Sequence, residues 1–378
     1  MYFQPTQREL QLKWRIDGVL KPIGSVPQEV AGNVVVRLKV LARLLTYQTR
    51  LPQEGRISQG EFSHDIRVST FPTVFGEKVV ARLLPTGEPS YARVGDLGLP
   101  PKVVDAVVIA LSQTSGALLI VGPAGSGKTT TAYACLREIV ACSRSQRNIV
   151  SMEDPVEKII DQVAQSEVAE PVGFDLTSGL RSLVRQDPDV IFVGEIRDPA
   201  TASIAFQAAL TGQLVITTFH APDTVTAISR LADMGVPHYV LRSAINCAVA
   251  QQLVRRLCDC ASPFYENDSD TAKNESNLGL SVDRWRVQQG CPTCLQTGYQ
   301  GRQLTAELLD LGVSEIASKI QAGTDAHALR AIALTHGMKS LYQQTTELIR
   351  AGTTSPAEVV QVFGLSNSQA VLGPIEAR

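Results

Sequence analysis

Two kinds of hydrophobic patterning divide this chain. Up to about residue 84, apolar residues alternate with polar ones or recur at helical spacing; from Val103 onward, short continuous apolar runs alternate with helical stretches. In the first part, Gln11-Leu-Lys-Trp-Arg-Ile-Asp-Gly18 predicts a half-buried strand entering an Asp-Gly turn. Val30 to Leu45 has helical apolar spacing with Arg37, Lys39 and Arg43 between the apolar positions. Leu51-Pro-Gln-Glu-Gly-Arg-Ile57 reads as a turn-rich loop. His64 to Thr70 and Glu77 to Leu84 read as strands, with Pro72 and Gly76 between them. These elements predict a small α/β domain over 1–84. Pro, Gly and Ser cluster after it, so 85–102 is expected to be a linker.

Strands alternating with helices predict a parallel sheet in a second domain over 103–257. The strand candidates are Ala117–Val121, Asn148–Met152, Val190–Val193 and Leu214–Thr218. Between the last two, Asp198 is placed to cap a helix, Pro199 to take its first position and Gly212 to follow its end. Asp223 and Gly235 punctuate the next helix in the same way. Polar Asn267 to Asn277 reads as a surface loop, and 301–378 as a C-terminal helical region that includes Leu329 to Arg350.

The chemistry centres on Gly122-Pro-Ala-Gly-Ser-Gly-Lys-Thr129, which lies between an apolar strand and a helix-forming run. Gly122, Gly125 and Gly127 let the backbone curl so that its N–H groups, with that of Ser126, face inward as an anion nest. The helix that opens at Thr129 and Thr130 adds free N–H groups and the positive end of its dipole. Lys128 is placed to reach β- and γ-phosphates and Thr129 to hold Mg²⁺, which predicts nucleoside triphosphate binding.

Glu195 ends the apolar run Val190-Ile-Phe-Val-Gly-Glu195, and Glu153 ends Asn148-Ile-Val-Ser-Met-Glu153. Open α/β sheets bind ligands beyond the carboxyl ends of their strands, so both acids are candidates to hold Mg²⁺ or activate water. Which acid does which is not distinguished by position. His220 falls at the same edge and is a candidate γ-phosphate sensor.

Composition narrows the class. The chain has 378 residues, 44% hydrophobic and 19% charged, which suits two or three folded domains. Its net charge of −2 gives no general attraction to nucleic acid. There is no signal-like start, which points to the cytosol. In that setting cysteine pairs read as metal ligands more readily than as disulfides. Cys258-Asp-Cys260 and Cys291-Pro-Thr-Cys294 predict a tetracysteine Zn²⁺ subdomain over 258–300, although the first pair has only one intervening residue. Cys135, Cys142 and Cys247 are expected to be small core residues.

Together these stretches resemble the type II secretion and type IV pilus assembly ATPases. The resemblance is carried by Gly122–Thr130, Glu153-Asp-Pro-Val-Glu157, Arg185 to Asp198, Ala208 to Val215, Thr218-Phe-His220 and Gln251 to Cys258. It extends back to Leu51–Arg56 and Arg67–Thr73 and forward to His336-Gly-Met-Lys339. It implies a RecA-like P-loop domain, a PAS-like first domain, and a homo-hexamer that binds ATP at subunit interfaces. It also implies peripheral attachment to inner-membrane platform proteins, and a short form lacking the family's upstream domains. Arg67, Arg82 and, more weakly, Arg56 match arginines that reach a neighbouring subunit's ATP; an arginine on an alternating strand is otherwise an ordinary solvated face.

Gln213 and Gln252 stand where the family has His and Arg, and both are expected near the nucleotide edge. The leading reading is a hexameric ATP-hydrolysing motor. A nucleotide-binding scaffold with little turnover is the alternative that the two glutamines suggest, and a nucleic-acid motor is weaker still.

Overall fold

The computed structural model describes residues 1–58, 65–83, 91–143, 146–263, 285–323 and 325–364. The predicted loop at Asn267 to Asn277, the start of the predicted linker, Leu84 and the last residues of the tail lie outside the described residues. The chain divides into two units, Met1–Pro89 and Ser90–Arg378.

The first unit is an antiparallel sheet crossed by one helix. Its strands are β1 (Tyr2–Pro5), β2 (Glu9–Ile16), β3 (Val19–Pro27), β4 (Gln53–Ile57), β5 (Ile66–Thr73) and β6 (Gly76–Leu83), in the order β3-β2-β1-β6-β5-β4. Asp17 and Gly18 take positive φ between β2 and β3, as the Asp-Gly turn requires. Helix α1 (Gln28–Leu41) packs Ala31 and Val35 against Phe3, Leu10, Val68 and Val79. Lys39 is fully buried on this helix, held by Glu77 at 2.6 Å and the Gln48 carbonyl at 2.8 Å.

The segment read as a turn-rich loop contains β4 instead. Gly55 is there because the chain passes close: a Cβ at this position would lie 2.4 Å from the Ala42 carbonyl oxygen.

The second unit is built on a seven-stranded sheet. Strands β7 (Gly116–Val121), β8 (Ile149–Glu153), β9 (Ala164–Glu167), β10 (Val190–Val193), β11 (Leu214–Phe219), β12 (Ile245–Leu257) and β15 (Tyr299–Asp310) stand in the order β15-β12-β7-β11-β10-β8-β9. All pairs are parallel except β12 with β15. The four predicted strands are present, and their continuous apolar character follows from burial on both faces.

One face carries α2 (Pro101–Ser112) and α3 (Lys128–Ser143), which bury Val107 and Leu136 on Leu118 and Ile216. The other carries α4 (Leu176–Leu183), α5 (Pro199–Leu210), α6 (Thr224–Asp233) and α7 (His238–Ala244), packed through Leu180, Phe206, Ile228 and Leu241. Asp198 and Asp223 cap α5 and α6 by accepting from Thr201 N and Thr226 N, each at 2.8 Å.

Among the described residues, helices α8 (Ser314–Gln321), α9 (Ala326–Thr335), α10 (Leu341–Arg350) and α11 (Pro356–Phe363) follow.

Two predicted boundaries shift. Val94, Leu97 and Leu99, expected in the linker, belong to the core beneath α2 and α3. The region from 301 opens with β15, which extends the seven-stranded sheet, so it is not purely helical and is no separate layer. A short pair, β13 (Ser262–Pro263) with β14 (Arg286–Val287), accompanies the cysteines. Cys135 and Cys247 are buried as expected, whereas Cys142 is exposed on α3.

Candidate functional site

Strand β7 ends at Val121 and the chain turns at once into the glycine loop. Gly122, Gly125 and Gly127 have φ of 156°, 77° and 90°. A Cβ on Gly122 would meet Ser126 Oγ at 2.4 Å and the Gln251 carbonyl oxygen at 2.5 Å, so the loop closes tightly around bare backbone. Lys128 opens α3, and its buried ammonium donates to the Gly122 carbonyl at 2.8 Å and the Pro123 carbonyl at 2.9 Å. Burial pushes the Lys128 pKa down, and the nearby Glu195 charge partly restores it. Thr129 is half-buried and Thr130 exposed beside it.

Parallel register brings the two acids to the same edge. Val193 pairs with Met152, so Glu153 ends β8 level with Gly194 and Glu195 lies one residue beyond. Their surroundings differ sharply. Glu153 is 3% exposed and accepts from Ser151 Oγ at 2.6 Å, Gln165 Nε2 at 3.0 Å and the Tyr133 hydroxyl. The Tyr133 hydroxyl in turn accepts from Glu157 N at 3.1 Å, and burial with the Glu153 charge raises its pKa. Glu195 instead faces two exposed partners, the Arg197 guanidinium and His220 Nε2 at 3.1 Å. Arg197 also bridges to Asp154 at 2.9 Å. Arg230 donates to the His220 carbonyl at 2.6 Å.

The structure therefore brings the glycine loop, Lys128, Glu153, Glu195 and His220 to one sheet edge. Sequence reasoning did not single out Tyr133, Ser151, Gln165, Arg197 or the role of Gln251. Gln251 is fully buried and donates to the Ser126 carbonyl at 2.8 Å, bracing the loop from β12. Apolar periodicity carries no signal for such contacts, because they join residues from different strands and helices.

Gln213 does not lie near that edge. It precedes β11 and accepts a backbone hydrogen bond from Gly116 N at 3.2 Å, where β7 begins. With Leu214 paired to Gly116 and Phe219 to Val121, the length of a strand separates it from the glycine loop. Gln252 is adjacent to Gln251 on β12, beyond the last β7 pairing.

In the first unit, Arg56 pairs in register with Arg67, and Arg67 with Arg82. The three arginines thus form one rung across β4, β5 and β6. Ion pairs join Arg67 to Glu54 and Arg56 to Asp65, and Arg82 is exposed.

The four cysteine sulfurs lie within 4.8 Å of one another. Cys258 and Cys291 are 3.8 Å apart, Cys260 and Cys294 3.9 Å, and Cys291 and Cys294 3.7 Å. A tetrahedral site with metal–sulfur bonds of about 2.3 Å has edges of about 3.8 Å, so the set fits one metal ion despite the short first pair. Burial pushes the Cys294 thiol up, but N–H groups of Cys291 and Gly298, each 3.2 Å from the sulfur, hold it at about 6.

A family model described as "Type II/IV secretion system protein" matches residues 1–361. The type IV pilus assembly ATPase PilB of Thermus thermophilus is 38% identical over 367 residues, covering 95% of this chain and 40% of its own length. The type II secretion system protein HxcR of Pseudomonas aeruginosa is 38% identical over 364 residues, covering 96% of this chain and 73% of its own. The chain thus spans less than half of the first of these relatives. Among solved structures, the Legionella pneumophila ATPase DotB aligns with a TM-score of 0.66 at 19% identity, over 93% of this chain and 90% of that one, a likeness of fold. No helix among the described residues is long and apolar enough to cross a membrane. The chain belongs to the type II/IV secretion system protein family.

Proposed function

We propose that this chain is an ATP-hydrolysing motor subunit that acts as a homo-hexamer on inner-membrane platform proteins at the cytoplasmic face, powering type II secretion or type IV pilus assembly. The observation that carries this reading is the convergence of the glycine loop, Lys128, two carboxylates and His220 at one sheet edge. The relatives supply the kind of work: pilus assembly in one, type II secretion in the other.

Lys128 and the loop N–H groups hold the phosphates, and Thr129 is the residue for Mg²⁺, which neutralises phosphate charge when bound. The oxygens of Glu153 are already engaged by Ser151, Gln165 and Tyr133, which suits a carboxylate that positions rather than one that takes a proton. Both oxygens of Glu195 are engaged as well, but by exposed side chains, Arg197 and His220, rather than by buried donors, so Glu195 is the acid we assign to orienting and deprotonating the attacking water. His220, 3.1 Å from Glu195, would sense the γ-phosphate of a bound nucleotide.

The rung of Arg56, Arg67 and Arg82 sets like charges side by side on one sheet face; Asp65 and Glu54 offset two of them, and the exposed Arg82 leaves the rung able to take a further anion. A neighbour's triphosphate is such an anion, and arginines supplied in trans stabilise charge in the transition state. We read the antiparallel sheet crossed by α1 as PAS-like, and Zn²⁺ as the ion of the four cysteines, since closed thiolate sets favour it.

The scaffold reading loses much of its motive, because Gln213 lies at the opposite sheet edge. Steady-state hydrolysis with Mg²⁺ tests the motor reading directly. Wild type is expected to turn over ATP and Lys128→Ala and Glu195→Gln to lose it; full activity in both variants would sink the proposal.

A further inference from the structure

The row in which β11 and β7 end runs on across β12 to β15: Phe219 pairs with Val121, Val121 with Ala250, and Ala250 with Glu307, while β12 and β15 continue beyond it. Glu307 is thus a carboxylate level with the residues at which β7 and β11 end, just before the glycine loop and His220. It is 1% exposed, and burial raises its pKa. Its neighbours are two helix starts. One oxygen accepts from Thr224 N at 3.1 Å and from the Thr224 hydroxyl, and the other from Leu341 N at 3.3 Å.

Thr224 is the first residue of α6, four positions after His220. Leu341 is the first residue of α10, directly after His336-Gly-Met-Lys339 and Ser340. Each helix start presents free N–H groups and the positive end of its dipole, so one negative charge satisfies both. The adjoining contacts fasten the same joint. Arg330 of α9 pairs with Asp223 at 2.7 Å, and the Thr224 hydroxyl lies 4.0 Å from Met338 Sδ.

We propose that Glu307 is a positioning residue that couples the His220 segment to the C-terminal helices. The His220 side chain meets Glu195, while Glu307 fixes the start of the helix that follows His220 to the start of α10. A displacement of His220 is therefore passed to α10, and the placement of α10 limits where His220 can sit. A charge shared by two helix starts supplies the contiguous link that such coupling needs. This rests on the nucleotide-site reading above and adds the route by which nucleotide occupancy reaches the C-terminal helices.

Glu307→Gln keeps the size and one acceptor oxygen but turns an NH₂ toward one of the two N–H groups, so one attachment is lost. Hydrogen exchange on the full chain, with and without a non-hydrolysable ATP analogue and Mg²⁺, reads the coupling. In wild type the analogue should slow exchange in both 218–231 and 336–346. In Glu307→Gln the slowing should persist in 218–231 and vanish in 336–346. With ATP, kcat should fall about tenfold while KM stays within about twofold. Thr224→Val, which removes only the hydroxyl donor, should shift both readouts in the same direction by less, and it decides the question if Glu307→Gln does not fold.

Equal slowing of both segments in the variants and in wild type would overturn the proposal, as would a wild-type 336–346 segment that ignores the analogue. Wild type that binds the analogue yet does not hydrolyse ATP would instead count against the motor reading, and the exchange data would still decide the role of Glu307.

Discussion

Glu153 and Glu195 stand on neighbouring strands at one edge, yet their surroundings give them different chemistry. Three donors converge on Glu153 inside the protein, and one of them, the Tyr133 hydroxyl, also receives the backbone N–H of Glu157. Tyr133 therefore joins the helix that follows the phosphate loop to the segment that follows Glu153. Tyr133→Phe removes this hydroxyl without changing the ring and takes from the carboxylate one of its three donors. Losing a buried charge-assisted hydrogen bond costs about 1–3 kcal/mol. Denaturant unfolding of the variant should show a loss of that order, with an unchanged denaturant slope. ATP turnover should fall as Glu153 loses its fixed orientation, while nucleotide affinity, which depends on the loop and Lys128, should hold. A variant as stable and active as wild type would show that Ser151 and Gln165 suffice to orient Glu153.

At the scale of elements, the cysteine knuckle is the part most dependent on a ligand. Its only described strands, β13 and β14, have two residues each, and its apolar support is the small cluster of Trp285, Tyr342, Ile349 and Val359. So little core leaves the four sulfurs to provide the cross-link. Purified protein should carry about one zinc per chain by elemental analysis, a closed four-sulfur site holding a single ion. Cys294→Ser or a strong chelator should remove the zinc and lower the melting temperature. Protein that binds no zinc and melts unchanged in Cys294→Ser would refute the assignment.

The knuckle also shows what the sequence made legible. Cysteine spacing named the ligands because metal chemistry fixes the residue type, and continuous apolar runs located β7, β8, β10 and β11 because burial on both faces allows little else. Strand β4 was hidden by Pro52 and Gly55, residues that normally mark turns and here permit close passage beneath Ala42. The place of β15 was hidden because a strand's partners lie far along the chain: Glu307 meets Ala250 only in the folded sheet. The same limitation misplaced Gln213, since a motif shows order along the chain and not which end of a strand each residue occupies.

For the whole molecule, the decisive question is whether one chain's Lys128 works with another chain's arginines. The rung of Arg56, Arg67 and Arg82 lies in the first unit, and Lys128, Glu195 and His220 lie in the second. If the arginines act in trans, two inactive variants with complementary defects should rescue each other. Lys128→Ala subunits keep their arginines, and subunits carrying Arg67→Ala with Arg82→Ala keep their phosphate loop. Each variant alone should hydrolyse almost no ATP. In a ring of head-to-tail interfaces assembled from an equal mixture, about one quarter of the interfaces join an intact loop to intact arginines. The mixture should then recover up to about that fraction of wild-type turnover, provided the subunits fire independently. Recovery should also require exchange of subunits, so mixing after chemical cross-linking of preformed rings should give none. If the arginines serve the ATP of their own chain, every mixed ring carries only defective sites and activity stays at the level of the separate variants, whatever the mixing ratio.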